Sequence, residues 1–305
     1  MFIKFPQTKL LRNLFLILSL ISGCKLSAQS DSILHFKSAF LSAQLNSSNV
    51  FEKNNLSPLY IIQGDDNYHL SPIKEISIGI FDLASCALGF FVEDPHRNAL
   101  EVDALNKNDL PGLDQWVTTK WNEDLDKASA VPVILSGLGA GTMCLLAGSN
   151  NYFFTDAVML GEVYLTQLGI NLIVKDICGR ARPYAYNRDL DYDIRTDKDN
   201  SVSFYSGHTS TTAAFSFFAA TVFAQQSENS TAKTIVWISA ATLPAITGLM
   251  RIYSGQHFPT DVIVGYAIGA AIGYFIPKLH QTKNGMSLIP MIDDENIGMG
   301  FSMRF

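Results

Sequence analysis

Three short polar clusters in an otherwise apolar chain hold the residues best suited to chemistry: "KDICGRARP" (Lys175 to Pro183), "SFYSGHTST" (Ser203 to Thr211) and "MRIYSGQHFPTD" (Met250 to Asp261). Lys175, Arg182 and Arg251 supply positive charge, and the fork of an arginine matches a tetrahedral oxyanion bidentately. Ser206 and the N–H of Gly207 stand at the mouth of an apolar run, where a helix N-terminus offers unpaired donors to an anion. Together these groups make a cradle for phosphate. The two histidines keep different company. His257 precedes Asp261 by four residues, so a helix starting at or before His257 would let the carboxylate hold one ring N–H and leave the other nitrogen nucleophilic. His208 lies beside the cradle without a carboxylate at that spacing, which suits an acid that protonates a departing alcohol. Such a pair describes phosphoryl transfer through a phosphohistidine that water then hydrolyses, while the cradle stabilises charge on the equatorial oxygens. This chemistry uses no metal and no cofactor.

The elements that must position these residues are apolar helices. Six segments of helical length are read at Ile76 to Phe91, Ala128 to Gly148, Ala157 to Val174, Thr209 to Ala224, Thr234 to Met250 and Val262 to Ile276. Small residues in "GLGAG" (Gly137 to Gly141) and "GYAIGAAIG" (Gly265 to Gly273) permit close helix packing. If consecutive helices run antiparallel, the end of the third, the start of the fourth, the end of the fifth and the start of the sixth share one pole. The three clusters then meet there. The expected fold is all-α: a single bundle of about six core helices with the site at one pole, covered by the polar stretch Glu93 to Lys127, plus a short C-terminal β-hairpin. The hairpin follows from the alternation in "IGMGFSMRF" (Ile297 to Phe305) after "DDEN" (Asp293 to Asn296), and one hairpin is too little to close a barrel, so it is expected to pack on the helical body. A further helix is read around Ile33 to Leu45.

In their order and spacing, K-x6-R-P (Lys175, Arg182, Pro183), S-G-H (Ser206, Gly207, His208) and R-x5-H-x3-D (Arg251, His257, Asp261) resemble the three-part signature of the type 2 phosphatidic acid phosphatase and vanadium haloperoxidase superfamily. The resemblance spans about residues 128 to 277. It implies a helical bundle and a metal-free site, with His257 as nucleophile, Asp261 as its orienting partner, His208 as general acid, and Lys175, Arg182, Ser206, Gly207 and Arg251 as phosphate ligands. Tyr205 stands where the family commonly has proline and Met250 where it has serine, which puts affinity or selectivity in doubt more than activity. The leading function is hydrolysis of a phosphomonoester or pyrophosphate on a lipid or small molecule. The alternative is a haloperoxidase in which vanadate occupies the same cradle; such enzymes tend to be longer chains with two bundles. Arg180, inside the first cluster, is read as a rim or structural charge, and His35, His69, His96 and His280 as surface residues.

Composition bounds the rest. Of 305 residues 48% are hydrophobic and 16% charged, which suits one large domain with a generous core and excludes a disordered chain. A net charge of -6 excludes a nucleic-acid binder, and no protein partner is implied. Lys4, Lys9 and Arg12 ahead of "LFLILSLISG" (Leu14 to Gly23) read as an export signal, cleaved after Ala28 or, with a lipid on Cys24, after residue 23. The expected divisions are 1–28 (or 1–23), a helical and cover region 29–127, the core 128–277 and the tail 278–305. Cys86, Cys144 and Cys178 show neither disulfide nor metal spacing and read as small buried hydrophobes. The chain is expected to be exported and periplasmic or membrane-associated. Segments such as Ala128 to Gly148 approach the length of a bilayer span. The loops away from the site, "SNNYFFT" and "QQSENSTAK", hold a single lysine, and a cleaved signal gives awkward span parity. Both favour a soluble or tethered bundle over integral insertion.

Overall fold

The computed structural model describes residues 68–91, 98–146, 152–281, 286–293 and 296–303. The export signal, Cys24, His35, His96 and the helix expected near Ile33 to Leu45 lie outside these residues. Six long helices dominate: α1 (Pro72–Phe91), α2 (Ala130–Leu146), α3 (Tyr152–Cys178), α4 (Gly207–Gln226), α5 (Ser230–Tyr253) and α6 (Pro259–His280). They answer to the six apolar segments, five of them running longer into polar sequence and α2 ending inside its segment. Asn229 caps α5 by accepting the Ala232 N–H at 2.9 Å, and Pro259 opens α6 at a position where its missing N–H costs nothing.

Helix α4 is the centre of the bundle and packs against α2, α3, α5 and α6, while α1 lies on α3. Its closest neighbour is α6, and the reason is a glycine stripe. A Cβ placed on Gly265, Gly269 or Gly273 would stand 2.7, 2.0 and 2.1 Å from the carbonyl oxygens of Ser206, Ser210 and Ala214 on α4. Only backbones without side chains can approach so far. Farther from the site, Met159, Val163, Ala214, Phe218, Val222 and Ile276 form the apolar core.

Along the rest of the interior the buried contacts are polar. Gln167 donates to Ser210 Oγ at 2.5 Å and accepts from Thr211 at 3.0 Å, Thr166 donates to Asp82 at 2.7 Å, and Asn171 donates to the Tyr205 carbonyl at 3.0 Å. The outward faces are the reverse: Ile134, Leu138, Ile235 and Ile263 are each about 60% exposed. Polar inside and apolar outside inverts the pattern of a water-soluble bundle, and it is the surface of a membrane-associated protein. Four stretches, Glu123–Leu146, Phe153–Tyr186, Ser230–Tyr253 and Pro259–His280, are long and apolar enough to cross a membrane. Of the expected alternatives, periplasmic or membrane-associated, these surfaces support membrane association, because so many exposed leucine and isoleucine side chains are costly in water.

The cover over the site pole is built from short helical turns, among them Gly112–Gln115, Glu123–Ala128 and Tyr192–Arg195. Arg195, almost wholly buried, ties the last of these to residues 102–103 and 185 by donating to Asp103 at 3.0 Å and to the carbonyls of Val102 and Ala185. At the C-terminus β1 (Met286–Asp293) pairs antiparallel with β2 (Asn296–Met303) in the register Met286 to Met303. The side chains of 282–305 lie outside the described residues, and with them the expected packing of the tail on the bundle. Cys144 is buried as expected, but Cys86 is half-buried and Cys178 exposed, because Cys178 ends α3 beyond the packed part of the helix.

Candidate active site

The pole at which α3 and α5 end and α4 and α6 begin collects all three polar clusters. His257 sits between α5 and α6 and is almost fully buried. Its Nδ1 lies 2.7 Å from the carbonyl oxygen of Ser203, so Nδ1 carries the proton and Nε2 keeps the lone pair. Burial first, then the charges of Arg182, Arg251, Lys175 and His208, hold this imidazole neutral well below the ordinary histidine range. These are the three cations and the second histidine expected from the sequence.

Asp261 is placed differently from the expectation. Its Oδ2 is 3.7 Å from His257 Nδ1, beyond a hydrogen bond. Phe258 is the cap of α6, with ψ of 157°, so His257 precedes the helix and the i,i+4 alignment does not form. Instead Asp261, three residues into the helix, reaches back to accept the Phe258 N–H at 2.9 Å and takes the Ser203 hydroxyl at 2.6 Å. The carboxylate thus meets His257 through Ser203, whose side chain it binds and whose carbonyl holds the ring.

Of the two expectations for Arg180, rim or structural charge, the structure agrees with the structural one: it is the partner of two buried carboxylates. It donates to Asp261 and, at 2.7 Å, to Asp114, and its guanidinium lies 4.3 Å from the ring centre of Phe258. Neither carboxylate side chain is exposed, so each needs this cation. Asp114 also accepts the Thr260 hydroxyl at 2.6 Å and its N–H at 3.1 Å, which fastens the cover to the start of α6.

The cradle residues come together from four elements. Arg182, 7% exposed, donates to the Asp199 carbonyl at 2.8 Å and to Gln256. Arg251, in the last turn of α5, donates to Asp126 and to Ser129 Oγ at 3.0 Å, while its buried Nε has no hydrogen-bond partner among the described residues. An unmet buried guanidinium N–H calls for an anion's oxygen. Ser206 caps α4, so the N–H groups of Gly207 and His208 are among the unpaired donors of the first turn. A Cβ on Gly207 would come within 2.9 Å of Asn171 Oδ1 and 3.7 Å of Lys175 Nζ, which puts the lysine beside this helix start. Gly255, with φ of +76°, makes the turn before His257, and a Cβ there would strike the Lys120 carbonyl at 2.1 Å.

Sequence spacing missed Ser203, Arg180, Asp114, Asp126 and Gln256. Ser203 and Arg180 lie inside the quoted clusters, so proximity was a usable signal. Asp114 and Asp126 come from the cover, and only the chain's path over the pole brings them in.

A pole of a helical bundle that brings a buried neutral histidine together with three cations, a second histidine and a helix start is suited to holding an anion. Residues 156–285 match the family model of the PAP2 superfamily. Among curated relatives, lipid A 4'-phosphatase of Porphyromonas gingivalis is 29% identical over 131 residues, which are 42% of this chain and 51% of that protein. Phosphatidylglycerophosphatase B of Bacillus subtilis is 27% identical over 157 residues, 49% of this chain and 73% of that protein. The chain therefore spans about half the length of the first relative and about three quarters of the second. A solved structure, the transmembrane PAP2-type phosphatidylglycerolphosphate phosphatase from Bacillus subtilis, superposes with a TM-score of 0.41 and 21% identity over 67% of this chain and 94% of that one.

Proposed function

We propose that this protein is a membrane-associated, metal-independent phosphatase that removes a phosphomonoester from a lipid by way of a phosphohistidine. The observation that carries the reading is the meeting of the three polar clusters at one pole: the His257 backbone N–H donates to the Arg251 carbonyl, Arg182 donates to the neighbouring Gln256, Lys175 stands beside Gly207, and Ser203 holds the His257 ring proton on Nδ1. In the proposed sequence His257 Nε2 attacks phosphorus as the bond to the leaving oxygen breaks, and His208 gives that oxygen a proton. Water, deprotonated by His208, then attacks phosphorus, the N–P bond breaks, and inorganic phosphate leaves. Lys175, Arg182 and Arg251, with the Ser206–Gly207 start of α4, hold the equatorial oxygens throughout. Asp261 and Ser203 position the ring. The apolar outer faces favour a substrate that reaches the site from a bilayer, the class that the names of both curated relatives carry. Export to the periplasm belongs to the same proposal and is motivated by the N-terminal signal.

The test is phosphate release from phosphatidic acid in detergent and from a soluble aryl phosphate, comparing the wild-type chain with His257→Ala. Release from the lipid that vanadate inhibits, and that the variant lacks, is the expected result. Turnover by His257→Ala at the wild-type rate would overturn the mechanism. Bromide oxidation in the presence of vanadate and peroxide, with no phosphate released, would replace the phosphatase by the haloperoxidase.

A further inference from the structure

At the other pole, about 30 Å along α6 from His257 given 1.5 Å of rise per residue, a second cluster is buried. His280, expected at the surface, has a fully buried side chain, because α6 continues four residues beyond the apolar run and its last turn meets the start of α1, where Lys74 donates to the Leu279 carbonyl at 2.8 Å. Its Nδ1 lies 2.9 Å from the Ile276 carbonyl, so Nδ1 carries the proton and Nε2 holds a lone pair. That lone pair faces Glu75 Oε1 at 3.2 Å and Glu162 Oε2 at 3.3 Å, and Nε2 forms no hydrogen bond with either. Glu75 Oε2 and Glu162 Oε2 are likewise buried without hydrogen-bond partners among the described residues. Three electron-pair donors on three helices thus point at one another, and all lie within 4.8 Å. Such an arrangement is repulsive unless a cation stands among them.

We propose that Glu75, Glu162 and His280 form a binding site for a divalent first-row transition ion of the zinc class. His280 Nε2, 3.2 and 3.3 Å from the two carboxylate oxygens, would subtend angles of about 100° with each of them at an ion with bonds of roughly 2.1 Å, between octahedral and tetrahedral. The backbone carbonyl on Nδ1 is the usual partner that orients a metal-bound imidazole. Glu75 is part-exposed at 23%, which gives the ion a route in. Bound there, it would join the start of α1, the middle of α3 and the end of α6, and leave the phosphatase chemistry at the other pole untouched.

The experiment uses the full chain in detergent, stripped with a chelator and titrated with zinc, reading bound metal per chain and Tm. One zinc per chain and a Tm higher by several degrees are expected, with His257→Ala unchanged in both. Glu75→Gln, chosen because its side chain is part-exposed and the fold should tolerate it, should weaken binding at least tenfold at an unaltered metal-free Tm; His280→Asn should abolish it. Wild-type protein that binds no zinc above background, or Glu75→Gln that binds as wild type does, would overturn the proposal and leave shared protons as the cluster's cations. Phosphate release by the stripped chain reports on His257 alone, so the two proposals fail separately.

Discussion

The relay from Asp261 through Ser203 to His257 makes an unusual demand: removing a hydroxyl that touches neither substrate nor the histidine ring should slow catalysis. In Ser203→Ala the carbonyl that holds Nδ1 remains, but the 2.6 Å bond from the hydroxyl to Asp261 is lost. Asp261 accepts three such bonds, from Ser203, Phe258 and Arg180. A hydrogen bond to a charged group contributes about 1.5–3 kcal/mol. Were all of it expressed as misplacement of the ring in the transition state, kcat would fall by roughly 10- to 150-fold. Asp261→Asn removes the charge opposite Arg180 as well and should be slower still. Because both changes act on one relay, their effects should not add, and the double variant should lie within about 0.5 kcal/mol, or two- to threefold, of Asp261→Asn. The assay is steady-state phosphate release from detergent-solubilised phosphatidic acid, with Tm measured alongside so that lost rate is not mistaken for lost fold. Ser203→Ala at wild-type rate, beside a slow Asp261→Asn, would refute the relay and imply that Asp261 turns to contact the ring directly.

Three further outcomes follow from the burial of His257 and the packing of the bundle. Since burial and three cations lower the folded-state pKa of His257, its nucleophilic form persists as pH falls through about 6.5. The acid limb of kcat/KM assigned to His257, by difference from a variant with one cradle cation removed, should lie below that value, and a midpoint at the ordinary imidazole pKa would contradict the burial. The same sign governs stability: below about 6.5 the unfolded chain gains a proton that the folded histidine refuses, so stability falls with pH through that window. In the bundle, Gly269→Ala places a Cβ 2.0 Å from the Ser210 carbonyl and should lower Tm and activity together, by the 1–3 kcal/mol typical of overpacking or more. Gly139→Ala on α2 meets nothing within 4 Å and should be tolerated; equal Tm values for the two would refute the close α4 to α6 contact.

What the amino-acid sequence determined by itself is the inventory and the pole. Apolar runs of helical length alternate with polar clusters, and antiparallel succession is enough to bring Lys175, Arg182, Ser206, Gly207, His208, Arg251 and His257 to one end. The glycine spacing of Gly265, Gly269 and Gly273 was likewise readable as a contact stripe, since a period of four is a property of one helix. Tertiary structure decided which atom meets which. Asp261 stands four residues from His257 in either account, but Phe258 caps α6, and that single extended residue turns the carboxylate away from the ring and toward Ser203. The motif spacing separated Arg182 from Arg180 in "GRARP", but only the fold supplied their partners: Asp114 of the cover for Arg180, and Gln256 of the link between α5 and α6 for Arg182. His280 looked like a surface residue because its partners, Glu75 and Glu162, lie 205 and 118 positions away, and only packing brings them together. The membrane-facing surface was hidden for the same reason. Hydropathy averages over a helix, whereas burial divides its faces, and in this bundle the polar atoms took the inside.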